Sequence, residues 1–368
     1  METTVVTGSE EARRDALAGR LFDAALGAFD LLTVYLGVRL GLYRALAEHG
    51  SATPPEMARR AGVHERYARE WLEQQAVGGI LDVDLSADDP SGWRYTLPAG
   101  HAEVFLDPES LAAMAPLATF LVGAAKRTDD LLAAYRTGAG VGWEAYGPEV
   151  HEAQELQNRP VFAKLLTTEW LPALPDVEAR LRREDPPARV ADLACGTGWS
   201  TIAMARAYPA ARVVGLDLDR WSIARARENA AATGMADRAV FEERDAADPA
   251  LAGAFDLVTI IEAVHDLSQP VAVLSAARGL LAPDGAVLVV DERVAERFTA
   301  PGDPIERIMY GYSLMFCLPN GLASQPSAAT GTVMRPDTLR RYATEAGFSG
   351  FKILPVEHET FRLYRLDP

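Results

Sequence analysis

The chain is poor in positive charge, in cysteine and in uninterrupted apolar runs. Lys and Arg number 36 against 52 Asp and Glu, giving a formal net charge of −16. That sign disfavours nonspecific binding to nucleic acid or to an anionic bilayer, both of which recruit cations. The two cysteines, Cys195 and Cys317, have no Cys or His partner at zinc-ligand spacing, so no metal site is expected. They exclude a disulfide scaffold and fit a reducing cytoplasm. The first residues hold no basic segment followed by an apolar one, so no secretory leader is expected. The apolar region from Leu21 to Leu46 is interrupted by Asp23, Asp30, Arg39 and Arg44. On sequence it does not supply the roughly 20 apolar residues of a membrane span.

What remains is a 368-residue chain of ordinary globular composition, long enough for two domains. Apolar residues recur at three- and four-residue spacing from residue 12 to about 48, including Leu17, Leu21, Phe22, Phe29, Leu32 and Leu36. This predicts a helix that is apolar nearly all round, buried in its own core or against a second subunit. Thr53 and Pro54 begin a further helix, Gly62 breaks it, and another runs from His64 to about Ala76. Two short strands, "ILDV" and "WRYTL", complete a winged helix. Its second helix sets Arg66 and Arg69 against Glu65, Glu70 and Glu73, and its wing carries Asp82, Asp84, Asp88 and Asp89 with Arg94 alone. That charge is wrong for a DNA reader, so the unit is expected to pack and dimerise.

Residues 105 to about 181 read as more helix, with aromatic residues such as Tyr146, Phe162 and Trp170 that form core or face a ligand. The polar, proline-bearing "RREDPPAR" is the expected boundary. It divides a helical and winged-helix domain, residues 1–183, serving as dimerisation and substrate lid, from a second domain, residues 184–368. In the second, strands ("ARVADLAC", "ARVVGLDLD", "AVFEERDA", "FDLVTII", "AVLVVDE") alternate with helices, which implies a parallel doubly wound sheet. The tail "FSGFKILPVEHETFRLYRLDP" predicts an antiparallel hairpin, so one strand of the sheet should oppose the others.

In such sheets a ligand sits beyond the carboxyl ends of the strands. That places the loop Ala194-Cys195-Gly196-Thr197-Gly198 in the site, with Gly196 and Gly198 allowing close backbone approach. Asp217 ends the second strand, where a carboxylate suits a ribose diol. A dinucleotide is compatible with these features. Asp192, at the end of the first strand, disfavours a pyrophosphate and suits an ammonium group. With Asp245 closing the third strand and able to accept from an adenine amino group, the three acids match S-adenosylmethionine better than NAD.

The segment 186–368 resembles the class I S-adenosylmethionine-dependent methyltransferases. "DLACGTG" is similar to their first motif, and "VVGLDLD", "RDA" and "LLAPDGAVLVVDE" to later ones. The helical segment plus winged helix resembles the small-molecule O-methyltransferases of secondary metabolism. The resemblance implies a Rossmann-like seven-stranded α/β sheet with one antiparallel strand, S-adenosylmethionine as cofactor, and a homodimer formed through the N-terminal domain. It places Leu218 beside the adenine and Ala246 near it. Ala194 stands at a position where the family has glycine, which is tolerable if the backbone there has negative φ.

A phenolic acceptor has a pKa near 10, so its methylation gains from a general base, and histidine is the natural one. "EAVHDLSQP" follows the fourth strand and puts His265 at the carboxyl edge, similar to the family's "HDW" base motif, with Leu267 replacing the tryptophan. Asp291 and Glu292 resemble the acids that orient such a histidine. Asp266 reads as a helix-start residue. Glu262 either contacts the cofactor or ends the strand. The insertion "DPIERIMYGYSLMFCLPNGLASQPSAATG" carries Tyr310, Tyr312, Met315 and Phe316, which with Phe162 are the expected substrate contacts. The expected activity is methyl transfer to a hydroxyl of a small hydrophobic metabolite in the cytoplasm. The alternatives are C- or N-methylation, a ligand-sensing winged-helix regulator, or other chemistry with the same cofactor.

Overall fold

The computed structural model describes residues 9–248 and 253–368. The first eight residues, where the absence of a leader is read, lie outside it. The chain divides into two compact units, Met1–Gly123 and Ala124–Pro368.

The first unit opens with α1 (Glu10–Arg39), capped by the Ser9 hydroxyl, and α2 (Leu42–His49). The single long helix expected from the apolar spacing is cut at Gly41, whose φ of +68° ends α1 and starts α2 in a new direction. Thr53 and Glu56 form a reciprocal capping box at the start of α3 (Pro54–Ala61), and Gly62 closes that helix in the left-handed region. Then come α4 (Glu65–Val77), the wing strands β1 (Asp82–Asp84) and β2 (Arg94–Thr96), which pair antiparallel, and α5 (Ala99–Leu106). Tyr43, Met57, Leu72 and Tyr95 fill the unit's core. On α4, Arg66 pairs with Glu70 and Arg69 with Glu73, so both cations are engaged by carboxylates of their own helix.

α1 is not buried in the core of its own unit, one of the two placements expected for it. Leu21, Phe22, Leu26 and Phe29 are all at least half exposed, so within the described residues this apolar helix has little of the burial expected for it. It is also long and apolar enough, by length and composition, to cross a membrane. Asp23 and Asp30 therefore do not exclude a span as the sequence argument has it.

α6 (Ala115–Lys126) straddles the division in the chain. The second unit continues with α7 (Thr128–Thr137), α8 (Pro148–Val161) and α9 (Pro175–Leu181). These segments precede the boundary expected near residue 183, yet they belong to the second unit. Phe162, Leu166, Trp170, Leu174, Val177 and Leu181 pack in one core with sheet residues Val190, Val213 and Leu288.

The sheet-building stretch runs β3 (Arg189–Leu193), α10 (Trp199–Ala207), β4 (Arg212–Asp217), α11 (Arg220–Ala232), β5 (Ala239–Glu243), β6 (Phe255–Ile261), α12 (Pro270–Gly279), β7 (Leu281–Glu292), α13 (Pro304–Tyr312), α14 (Leu318–Ala323), α15 (Pro336–Glu345), β8 (Gly350–Ile353) and β9 (Phe361–Asp367). The strands form one seven-stranded sheet in the order β5-β4-β3-β6-β7-β9-β8. All neighbours from β5 to β7 are parallel. β9 runs against both β7 and β8, as the tail hairpin predicts. The order reverses between β3 and β6, and the ends of these central strands hold the candidate site.

Candidate functional site

Asp192, next to last in β3, is 1% exposed. Its Oδ2 accepts from the Ser200 and Thr201 hydroxyls of α10, each at 2.6 Å, and its Oδ1 from Thr259 of β6 at 2.6 Å. Thr259 lies opposite Asp192 in the β3–β6 register. Burial pushes this carboxyl above its ordinary pKa, while the three hydroxyl donors pull it back. Three protein hydroxyls thus share the carboxylate on which the ammonium contact is expected from sequence. Both oxygens bind the protein, and the side chain ties strand end to helix start.

The loop that follows carries a correction. Ala194 has φ +55°, in the left-handed region, rather than the negative φ its methyl group prefers. Gly196 and Gly198 are left-handed too, at φ +53° and +82°. A Cβ at Gly198 would lie 2.6 Å from the Phe241 ring, so that glycine lets the loop pack on β5. A Cβ at Gly196 would meet nothing within 4 Å, which leaves open space before the loop. The Gly196 amide donates to Asp217 Oδ2 at 2.8 Å, and the Asp219 amide to Oδ1 at 2.8 Å. Asp217 therefore stands oriented at the end of β4 with lone pairs to spare.

Leu218, beside it, is 70% exposed, an apolar side chain at the sheet's carboxyl edge. Ala246 is buried, and Asp245 is exposed with one oxygen accepting from the Ala247 amide. The loop space, an oriented diol acceptor and an apolar face fit an adenosyl cofactor without phosphates.

His265 lies in a short helical turn after β6 and is 2% exposed. Its Nδ1 is 2.7 Å from Asp291 Oδ1 and 2.8 Å from Glu292 Oε2, both at the end of β7. Nε2 is 3.6 Å from Asp266 Oδ1. Burial alone would lower this imidazole, but Glu292, Asp291 and Asp266 outweigh it and hold the pKa well above the ordinary value. Burial opposes ionisation of Asp291 as well, yet His265 keeps it below the usual range. Glu292 is raised by burial and by Asp291. His265, Asp291 and Glu292 place one ligand-type atom each within 4.8 Å of one another. Nδ1 is hydrogen-bonded to Asp291 Oδ1, with the Glu292 carboxylate close beside the pair.

Glu262 follows β6 at φ +52°, a strained backbone for a side chain. Its Oε2 accepts from Gln154 of α8 at 3.3 Å, and burial with neighbouring Asp291 and Asp266 lifts its pKa to about 7. It therefore lies among the His265 acids.

Of the aromatic residues, Phe162 packs in the core edge-on to Trp170, 6.4 Å between centroids. Tyr310 is exposed, with its hydroxyl 3.5 Å from Arg335 Nη2. Tyr312 and Phe316 are ring neighbours at 6.3 Å, and Phe316 meets Tyr146 at 4.9 Å. Tyr146 also bonds the Met315 carbonyl. Burial lifts the Tyr312 phenol to about 12. Tyr312 precedes, and Met315 and Phe316 lie within, a π-helical turn, Ser313–Cys317, which also brings Cys317 beside Asp266 and His265.

Sequence reasoning misses three groups here. Asp266 is not the cap of α12, where Gln269 stands, and instead faces Nε2 of His265. On α8, Gln154 and Asn158 are hydrogen-bonded to each other, with Gln154 reaching Glu262, while Glu155 and Arg159 face Trp199. The Arg159 guanidinium lies 4.2 Å from the Trp199 ring centroid, next to Gly198. The available signal is two polar pairs spaced i, i+4 in "QELQNR", which put a polar strip on one helix face.

Residues 184–313 match the family model described as "Methyltransferase domain", and residues 28–106 that of the "Rv2258c-like winged HTH domain". A 4-amino-L-phenylalanine/4-methylamino-L-phenylalanine methyltransferase of Streptomyces pristinaespiralis is 33% identical over 142 residues, 35% of this chain and 46% of that protein. The chain spans about half or less of the length of the curated relatives it matches. Among solved structures, mitomycin 7-O-methyltransferase superposes with TM-score 0.68 at 22% identity, over 97% of this chain and 99% of that one. Human N-acetylserotonin methyltransferase, solved with S-adenosylmethionine, gives 0.66 at 16% identity, over 99% of each chain. At these identities the likeness is one of fold. The chain thus carries a segment that matches a methyltransferase domain behind one that matches an Rv2258c-like winged helix-turn-helix domain.

Proposed function

We propose that the protein transfers a methyl group from S-adenosylmethionine to a hydroxyl of a small hydrophobic acceptor, with His265 as the general base. The observation that carries this reading is the relay at the strand ends, a buried His265 with Nδ1 held 2.7 Å from Asp291. The cofactor, when bound, supplies an electrophilic methyl group on its sulfonium. Asp217 takes the ribose hydroxyls, Leu218 and Ala246 border the adenine, Asp245 accepts from its amino group, and Gly196 leaves room for the approach. Arg159, stacked over Trp199 beside the loop, suits the cofactor's carboxylate. Asp192 acts behind this contact layer by holding the loop.

Asp291 fixes the imidazole tautomer so that Nε2 faces the acceptor. As the acceptor oxygen takes the methyl group, its proton passes to Nε2. The acids around His265 favour the imidazolium, so this base becomes available as pH rises. Tyr312, Met315 and Phe316 are the proposed acceptor contacts, with Tyr310 at the rim. The whole assembly is proposed to be a homodimer through the exposed apolar face of α1, in a reducing cytoplasm suited to two free thiols. The paired cations of α4 support no role in reading DNA.

One observation favours a second reading, transfer to nitrogen. Glu262, Asp266, Asp291 and Glu292 surround one histidine, and such a site suits an amine acceptor. The Streptomyces relative is named for an amine-bearing substrate. Incubation with methyl-labelled cofactor and a panel of phenols, aliphatic alcohols and aryl amines separates the readings. Label on phenols that is lost in His265→Ala supports the first. Label on amines alone replaces it with the second. Cofactor binding with transfer to no acceptor counts against both.

A further inference from the structure

Glu155 of α8 is 4% exposed and accepts four hydrogen bonds. Oε1 takes Trp199 Nε1 at 3.2 Å, Arg225 Nη2 at 3.2 Å and Asn229 Nδ2 at 3.1 Å, and Oε2 takes Arg225 Nε at 2.9 Å. Asn229 Nδ2 also donates to the Thr197 carbonyl at 3.1 Å. A primary amide nitrogen has two hydrogens, and Asn229 gives one to Glu155 and one to the loop. If its amide turned over, its oxygen would face both the Thr197 carbonyl and the carboxylate. Glu155 therefore decides which way Asn229 points. Thr197 lies between Gly196 and Gly198, and Trp199 comes directly after, so the carboxylate acts on the loop from two sides.

We infer that Glu155 is a positioning residue for cofactor binding: through Asn229 and Trp199 it fixes the backbone of residues 196–199 from outside the segment that matches the methyltransferase model. The inference rests on the reading of this loop as the cofactor site. It makes α8 part of the binding machinery, and a methyltransferase domain cut at residue 184 would lack it. The physical ground is preorganisation. A loop with two left-handed glycines has many alternatives, and each carbonyl anchored from behind removes some before the ligand arrives.

The test is S-adenosylhomocysteine binding by calorimetry on the full chain, with thermal unfolding of the same samples without ligand. Glu155→Ala and Asn229→Ala should each weaken binding about tenfold, the loss expected when one buried hydrogen-bonding group is left unpaired. The double variant should be no worse than Glu155→Ala, because both act through Thr197. Glu155→Gln keeps an oxygen for Trp199 and Asn229 and should stay within about threefold of wild type. In turnover, KM for the cofactor should rise while kcat holds. Lowered thermal stability with unchanged affinity in all variants, or additive losses in the double, would overturn the inference. Should Glu155→Ala fail to fold, Asn229→Ala and Glu155→Gln decide it. A wild-type protein that binds no S-adenosylhomocysteine overturns the cofactor reading itself.

Discussion

Replacing Ala194 by glycine should make the protein more stable, against the usual sign for trimming a half-buried methyl group. At φ +55° an L-residue other than glycine carries about 1–2 kcal/mol of strain. Glycine returns about 0.5–1 kcal/mol of that through the greater freedom of its unfolded chain. Loss of a partly buried methyl group returns a further few tenths. The balance is a gain of about 0.5 kcal/mol, or about 1–2 °C in the transition of a unit of this size. Ala194→Val reverses the sign, because a β-branched side chain is worse placed still in the left-handed region, and should lower the same transition by several degrees.

Differential scanning calorimetry resolves which transition moves. It should be the one raised by S-adenosylhomocysteine, since residue 194 lies in the proposed binding loop, and a ligand at one hundred times its Kd adds about 2.7 kcal/mol to that unit. The ligand increment should be equal in wild type and Ala194→Gly. A glycine variant destabilised by more than about 1 kcal/mol, or a valine variant that is neutral, would refute a left-handed backbone at this position.

The other expectations concern the relay and the clamp. His265→Ala should lower kcat by at least about 100-fold with S-adenosylhomocysteine affinity nearly unchanged, by stopped-assay turnover and calorimetry. Asp291→Asn and Glu292→Gln each leave Nδ1 one carboxylate, so each should cost about tenfold in kcat and the double clearly more than either alone. The rate should climb with pH above neutrality, because carboxylates hold His265 protonated. Either substitution removes a cause of that raised pKa, so the rising limb should move to lower pH. Thr259→Val strips Asp192 Oδ1 of its donor and should cost about 1–3 kcal/mol in denaturant unfolding.

The sheet was readable because β4, β6 and β7 are apolar runs closed by an acid, and because the connection before "FRLYRLD" is too short for a crossover. The same pattern located Asp217 and His265, since residues at strand ends share one edge by topology. Direction was not readable. Asp192 has the expected place, but Ser200, Thr201 and Thr259 claim its oxygens, and hydroxyl partners on other elements leave no trace in local spacing. Ala194 could not be assigned a φ from its identity, because the loop overrides the preference of the residue. The boundary was set by the prolines before β3, although the helices ahead of them share an apolar core with the sheet, which no linker composition records. Glu155 drew no reading and Asp266 was read as a helix-start residue, because only long-range contacts distinguish these acids from the many others.

Both thiols in the chain resist ionisation, Cys195 from a buried position and Cys317 from a half-buried one. Cys195 is buried, and burial with nearby Asp192 and Asp217 drives its pKa well up. Burial and Asp266 push Cys317 up to about 12. The thiolate is the form that attacks a maleimide, so neither sulfur should label at neutral pH while the fold is intact. The native sequence is thus a ready background for spectroscopy. One cysteine introduced at an exposed position such as Tyr67 would take a dye alone, with no prior removal of either native residue.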